Sequence, residues 1–159
     1  MVAMWHTEEP QEAVVAAIIR LATFSGRRMG DFLPQHSSDY KAYSDLTFKH
    51  VLVKDHEILF TFMDTKNRIG GPTWTGVLTR NTHDPPVCPV RAINDYMSAL
   101  KAHGGDFSPV APFFQVLDIH RRRFAKQAFS VGRLANVVNS ADRPGCYAIW
   151  SMRSFQLWK

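Results

Sequence analysis

A chain of 159 residues, 45% hydrophobic and 21% charged, has the make-up of an ordinary globular protein with room for one core. Its only cysteines, Cys88 and Cys146, are far apart and show no C-x-x-C spacing, which excludes a disulfide framework or a thiolate zinc site and fits a reducing interior. The net charge of +5 is unevenly placed: eight Lys or Arg and one acid lie from His120 onward, against eleven and thirteen before it. A basic final quarter on a near-neutral body suits a polyanion, above all nucleic acid, and equally suits a solvated face with no partner.

Residues 1–10 read as a lead-in. They carry Glu8 and Glu9 and lack a basic flank with an apolar stretch, so they do not resemble a signal peptide. No apolar run has the length of a membrane span, and the expected setting is intracellular. Gln11 to Ser25 predicts a helix with Val14, Ile18 and Leu21 on one face. Gly26 ends it, and a second short helix is expected from Arg28 to about Leu33, stopped by Pro34. Arg28 and Asp31, three apart, then face the same way, and such an Arg can offer a fixed guanidinium fork to a phosphate.

Residues 35–45 are polar and turn-like. Leu46 to Val53 and Glu57 to Met63 read as strands joined through Lys54-Asp55-His56. A third strand, about Thr73 to Thr79, follows a glycine-rich connection that holds Lys66 and Arg68. Pro85 to Pro89 is expected to enter a helix in extended form, with Pro89 in its first turn. Val90, Ile93, Met97 and Leu100 line one face of that helix, and Gly104-Gly105 close it. Pro109 to Phe114 is expected to be extended, with Phe113-Phe114 anchoring it in the core. His120 to Lys126 is the densest basic cluster, and Ser130 is placed to cap a helix through about Val138. The fold class is α+β, mainly helical, with a small three-stranded antiparallel sheet beside the helices.

In order and spacing these pieces resemble the catalytic domain of the tyrosine recombinases, the phage-integrase type of DNA breaking–rejoining enzyme. Thr23 to Asp31 is similar to that family's threonine-glycine-x-arginine turn with its following acid, which puts Arg28 at the first catalytic arginine and Asp31 at the supporting carboxylate. Lys66 falls where the family carries a hairpin lysine, with Arg68 as the alternative that reaches DNA. Cys88-Pro89-Val90-Arg91-Ala92 matches a recurrent helix entry, and Ala111-Pro112-Phe113-Phe114 a short extended segment. Trp150-Ser151-Met152-Arg153 is similar to histidine-serine-leucine-arginine, so Arg153 is the candidate second arginine.

The resemblance implies a recombinase catalytic core that uses neither metal nor cofactor and acts on duplex DNA, with self-association on the DNA and no membrane partner. It implies a nuclear setting in a eukaryote and the cytoplasm or nucleoid in a bacterium. Two arginines would neutralise the phosphate oxygens as charge builds at phosphorus, and a lysine would protonate the leaving 5′-oxygen. Arg27, Arg68, Arg121, Arg122, Arg123 and Lys126 are the further DNA-binding candidates.

Two departures stand beside the matches. Trp150 replaces a histidine; it can give a phosphate one indole N–H or simply be buried. No tyrosine follows Arg153, where the family has its nucleophile, while Tyr147 precedes the motif and Tyr40, Tyr43 and Tyr96 fall in other elements. The expectation is therefore that residues 11–159 form a partial catalytic domain that does not cleave alone. The alternatives are a non-enzymatic DNA-binding or scaffold protein on the same fold, and an unrelated basic α+β domain.

Overall fold

The computed structural model describes residues 9–63 and 73–140. Helix α1 spans Pro10–Ser25, with Pro10 at a position where its missing N–H costs nothing. The expectation of one apolar face was too narrow: every residue from Ala13 to Ala22 is buried. The run Ala13-Val14-Val15-Ala16-Ala17-Ile18-Ile19 has no polar interruption, and a helix apolar all round is covered all round. Gly26 ends it in the left-handed conformation, φ +64°.

Beyond it the expected second helix is only a 3-10 turn, Met29–Asp31. The Asp31 carboxylate takes the Arg28 backbone N–H (3.2 Å), the turn closes through Asp31 N–H to Arg28 C=O (2.9 Å), and Phe32 and Leu33 then drop into the core ahead of Pro34. The expected first strand is likewise shorter. Thr47 gives its backbone N–H to His50 Nδ1 (3.2 Å), a 3-10 turn occupies Phe48–His50, and β1 is left with Val51–Val53.

β2 (Glu57–Met63) and β3 (Thr73–Thr79) complete an antiparallel sheet of order β1-β2-β3. Ile58, Phe60 and Phe62 alternate inward, and Phe60 stands opposite Gly76, which leaves room for its ring. Lys54 N–H bonds Glu57 C=O (2.9 Å) across the expected β1–β2 connection.

A 3-10 turn, Pro85–Val87, replaces the extended entry to α2 (Pro89–Ala102). Helix α2 packs along α1, and both touch β3. It closes as expected: Gly104 is left-handed at φ +69°, and Gly105 N–H reaches Leu100 C=O at 2.8 Å, a Schellman-type closure. The segment after it is less extended than expected, with one bridge between Thr47 and Pro112, although Phe113 and Phe114 are buried as anticipated.

A second sheet was not anticipated. β4 (Gln115–Asp118) and β5 (Arg123–Ala128) form an antiparallel hairpin, and the basic cluster spans its turn and the first part of β5. Ser130 caps α3 (Val131–Ser140) by accepting the Arg133 N–H at 3.2 Å, and Leu134 and Val138 are buried. Among the described residues no helix is long and apolar enough to cross a membrane.

The centre of the core is polar. Tyr96 is fully buried; its hydroxyl donates to Phe113 C=O (2.7 Å) and accepts the Gln115 N–H (3.0 Å). Its ring meets Phe113, Phe114 and Phe124 at centroid distances of 5.9, 5.5 and 6.1 Å. Gln115, also fully buried, donates to Asp106 C=O (2.5 Å) and Pro112 C=O (3.2 Å) and accepts the Asp106 N–H (3.0 Å). Tyr96→Phe keeps the ring and strands two buried backbone groups. It should cost roughly 1–3 kcal/mol in urea unfolding, and an unchanged midpoint would show that the hydroxyl contributes nothing.

His50 gives a second prediction. Its Nδ1 accepts the buried Thr47 N–H and lies 3.0 Å from Thr47 Oγ1, so the ring is neutral in the fold. Burial, with Lys49 nearby, pushes its pKa below the ordinary value, against an opposing backbone contact from Asp45. A folded pKa below the unfolded one of about 6.5 means that the unfolded chain takes up the proton first, so this contribution is complete above that pH and is lost as pH falls below it. The stability advantage of the protein over His50→Asn should shrink between pH 7.5 and 5.5; a constant or growing difference would contradict the assignment.

Candidate nucleic-acid interface

The Ser25–Asp31 turn is held at several points. Ser25 Oγ accepts the Arg27 N–H at 3.3 Å, Gly26 supplies the left-handed step, and Asp31 takes the N–H of Arg28. The Arg27 guanidinium lies 5.6 Å from the centroid of Phe62, the residue before the end of β2. Phe62 pairs with Trp74 at the start of β3, so the turn stands beside the strand ends between which Lys66 and Arg68 fall in the sequence. Arg28 is exposed and extended (φ −74°, ψ 147°). The contact from Asp31 is to the backbone of Arg28: the carboxylate fixes where the arginine begins. Lys66, Arg68, Trp150 and Arg153 lie outside the described residues.

The other expected cations gather at the β4–β5 turn. Arg121, Arg122, Arg123 and Lys126 are all exposed. Arg121 Nε lies 3.8 Å from Asp118 Oδ2, and Lys126 Nζ lies 3.6 Å from Asp106 Oδ2. Both pairs are solvent-facing and weak. Asp106 is held below the usual carboxylate range first by the Ser108 backbone N–H (2.9 Å), and only then by Lys126. The cations thus form two groups, one at the end of α1 against β2 and one at the hairpin turn against the end of α2.

The helix entry that carries part of the resemblance has an architectural role. Cys88 is buried, its Sγ accepts the Asn81 N–H (3.3 Å), and its C=O takes the Ala92 N–H (3.1 Å). Val90 and Ala92 face the core, while Arg91 is exposed and 3.9 Å from Asp95. Arg20, missed by sequence reasoning, fastens this entry to α1. It is only 7% exposed, and one guanidinium N–H donates to Pro86 C=O. Among the described residues its Nε has no hydrogen-bond partner. Burial lowers its pKa, opposed chiefly by the attraction of Asp95. The missed signal is positional: Arg20 sits inside a helix stretch with no other polar residue from Ala13 to Ala22.

Two of the tyrosines have spent their hydroxyls. Tyr96 is sealed in the core with its pKa pushed far up by burial, and Tyr40 donates to Val110 C=O (2.7 Å), its pKa pushed up to about 12 by burial and then by Asp45. Tyr43 is 71% exposed. Comparison of the chain with protein-family models, curated proteins and solved structures finds no match.

Proposed function

We propose that the chain is a DNA-binding core of tyrosine-recombinase type, in which Arg28 engages a backbone phosphate of duplex DNA. The observation that carries this reading is the locked Ser25–Asp31 turn beside the facing ends of β2 and β3, with Lys66 and Arg68 on the connection between them. Its support is the order of parts: helix, glycine turn, exposed arginine, antiparallel hairpin, then the Cys88-Pro89 helix entry.

In this reading Arg28 and Arg153 are the two planar forks on one phosphate, and Lys66 is the proton donor to the leaving oxygen. A bidentate guanidinium matches two non-bridging oxygens better than an ammonium does, and an anion between two like charges relieves their repulsion. Asp31 sets the start of the Arg28 side chain, and Arg27 is held against Phe62 so that its charge stays beside the site. The bonded hydroxyls of Tyr40 and Tyr96 favour a second reading, in which the same surface binds duplex DNA without cutting it.

Fluorescence anisotropy with a labelled duplex across a salt series tests the binding. Roughly five neutralised phosphates give a slope of log K against log salt of about −4 to −5, and Arg28→Ala should flatten it by about one with the fold intact. A flat salt response, or no binding at low salt, removes the DNA role. A nicked suicide duplex tests for cleavage: no covalent adduct is expected from this chain. An adduct mapping to Tyr43 or Tyr147 would reject the non-cleaving reading.

A further inference from the structure

Arg122 is the only non-glycine residue with positive φ (50°) among those described. L side chains rarely adopt this conformation, and glycine or asparagine is the usual occupant of such a hairpin position. The chain instead places the middle of three consecutive arginines there. The turn is fastened on every side. Asp118 Oδ1 accepts the N–H groups of His120 (3.0 Å) and Arg121 (3.1 Å). His103 Nδ1 stands 3.0 Å from Arg122 C=O, and since a carbonyl only accepts, that nitrogen carries the proton. Phe124 N–H bonds His103 C=O at 2.9 Å, and Arg123 lies over Gly104, where a Cβ would meet its Nε at 3.0 Å. The first residue of this basic turn, directly after the end of β4, is an apolar side chain, Ile119, 60% exposed.

A fixed backbone, exposed arginines and one protruding aliphatic side chain are the parts of a minor-groove contact. Arginines are drawn to the negative potential of a narrow A·T-rich groove, and an aliphatic wedge packs against or between base steps. Fixing the turn in advance removes an ordering cost from binding. We propose that the β4–β5 turn is a minor-groove finger, with Arg121 and Arg122 as its groove cations and Ile119 as its apolar wedge. The proposal rests on the duplex-DNA reading and adds a second contact, distinct from Arg28.

Arg122→Gly makes the decisive variant, because glycine relieves the left-handed backbone while removing the charge. Its thermal midpoint should equal or exceed that of the parent, while the salt slope flattens by about one. Ile119→Ser should weaken binding to an A·T-rich duplex several-fold more than to a G·C-rich one, and netropsin, which fills the minor groove, should displace the parent. Arg121→Gln supplies the same charge test with the backbone untouched. Variants that bind as the parent does, while Arg28→Ala still loses affinity, overturn the finger and leave the DNA reading standing. Loss of all duplex binding in the parent overturns both. Tighter binding to anionic lipid vesicles than to duplex DNA assigns the turn to a membrane surface and overturns the finger.

Discussion

The fold depends on a pair of buried polar side chains, Tyr96 and Gln115. A phenol in a dry core has to find partners, and here it finds Phe113 C=O, just ahead of β4, and the N–H of Gln115, which starts it. Gln115 then satisfies both its amide groups on the chain between Asp106 and Pro112. Helix α2, the loop after it and the second hairpin are thereby fixed to one another by directional bonds, which apolar packing alone would not orient. Everything near the basic turn inherits that rigidity, because His103 and Gly104, which hold Arg122 and Arg123, sit at the end of the same helix.

The two cation groups are prepared in different ways. At the end of α1 a side-chain oxygen, a left-handed glycine and a capping carboxylate fix the backbone, and an aromatic face holds one of the two guanidinium groups. At the hairpin, an aspartate and a histidine fix the turn from outside it, and the arginines are left to solvent. In both places an acid bonds backbone N–H groups, and at the hairpin Asp118 also forms a weak, solvent-facing pair with Arg121.

Much of this was readable from local chemistry. Gly26, Pro89, Gly104-Gly105 and Ser130 placed helix ends because each acts through its own backbone or its nearest neighbours. The alternation of Ile58, Phe60 and Phe62 placed β2 for the same reason. What escaped depends on residues distant in the chain. Arg20 is buried because Pro86, far along the sequence, offers it a carbonyl. β5 was hidden because Arg123, Lys126 and Gln127 occupy exposed positions of a strand with only two inward residues, Ala128 and Phe124, the latter read only as part of a basic cluster. Leu46 to Phe48 has strand-forming residues, yet Thr47 spends its N–H on His50 and its bridge on Pro112. The candidate site was readable only as residue order, and Lys66, Arg68, Trp150 and Arg153 lie outside the described residues.

The all-round burial of α1 also sets an order of events for the nascent chain. This helix is made before the surfaces it packs against, which include β3, α2 and β4, beginning at Thr73, Pro89 and Gln115. At roughly 5–20 residues per second, Val14, Val15, Ile18 and Ile19 wait several seconds without a partner. The Tyr96–Gln115 bond, by contrast, closes over a separation of only 19 residues. The later α2–β4 segment thus closes on itself soon after it is made, whereas the earlier α1 has to be shielded until its partners arrive.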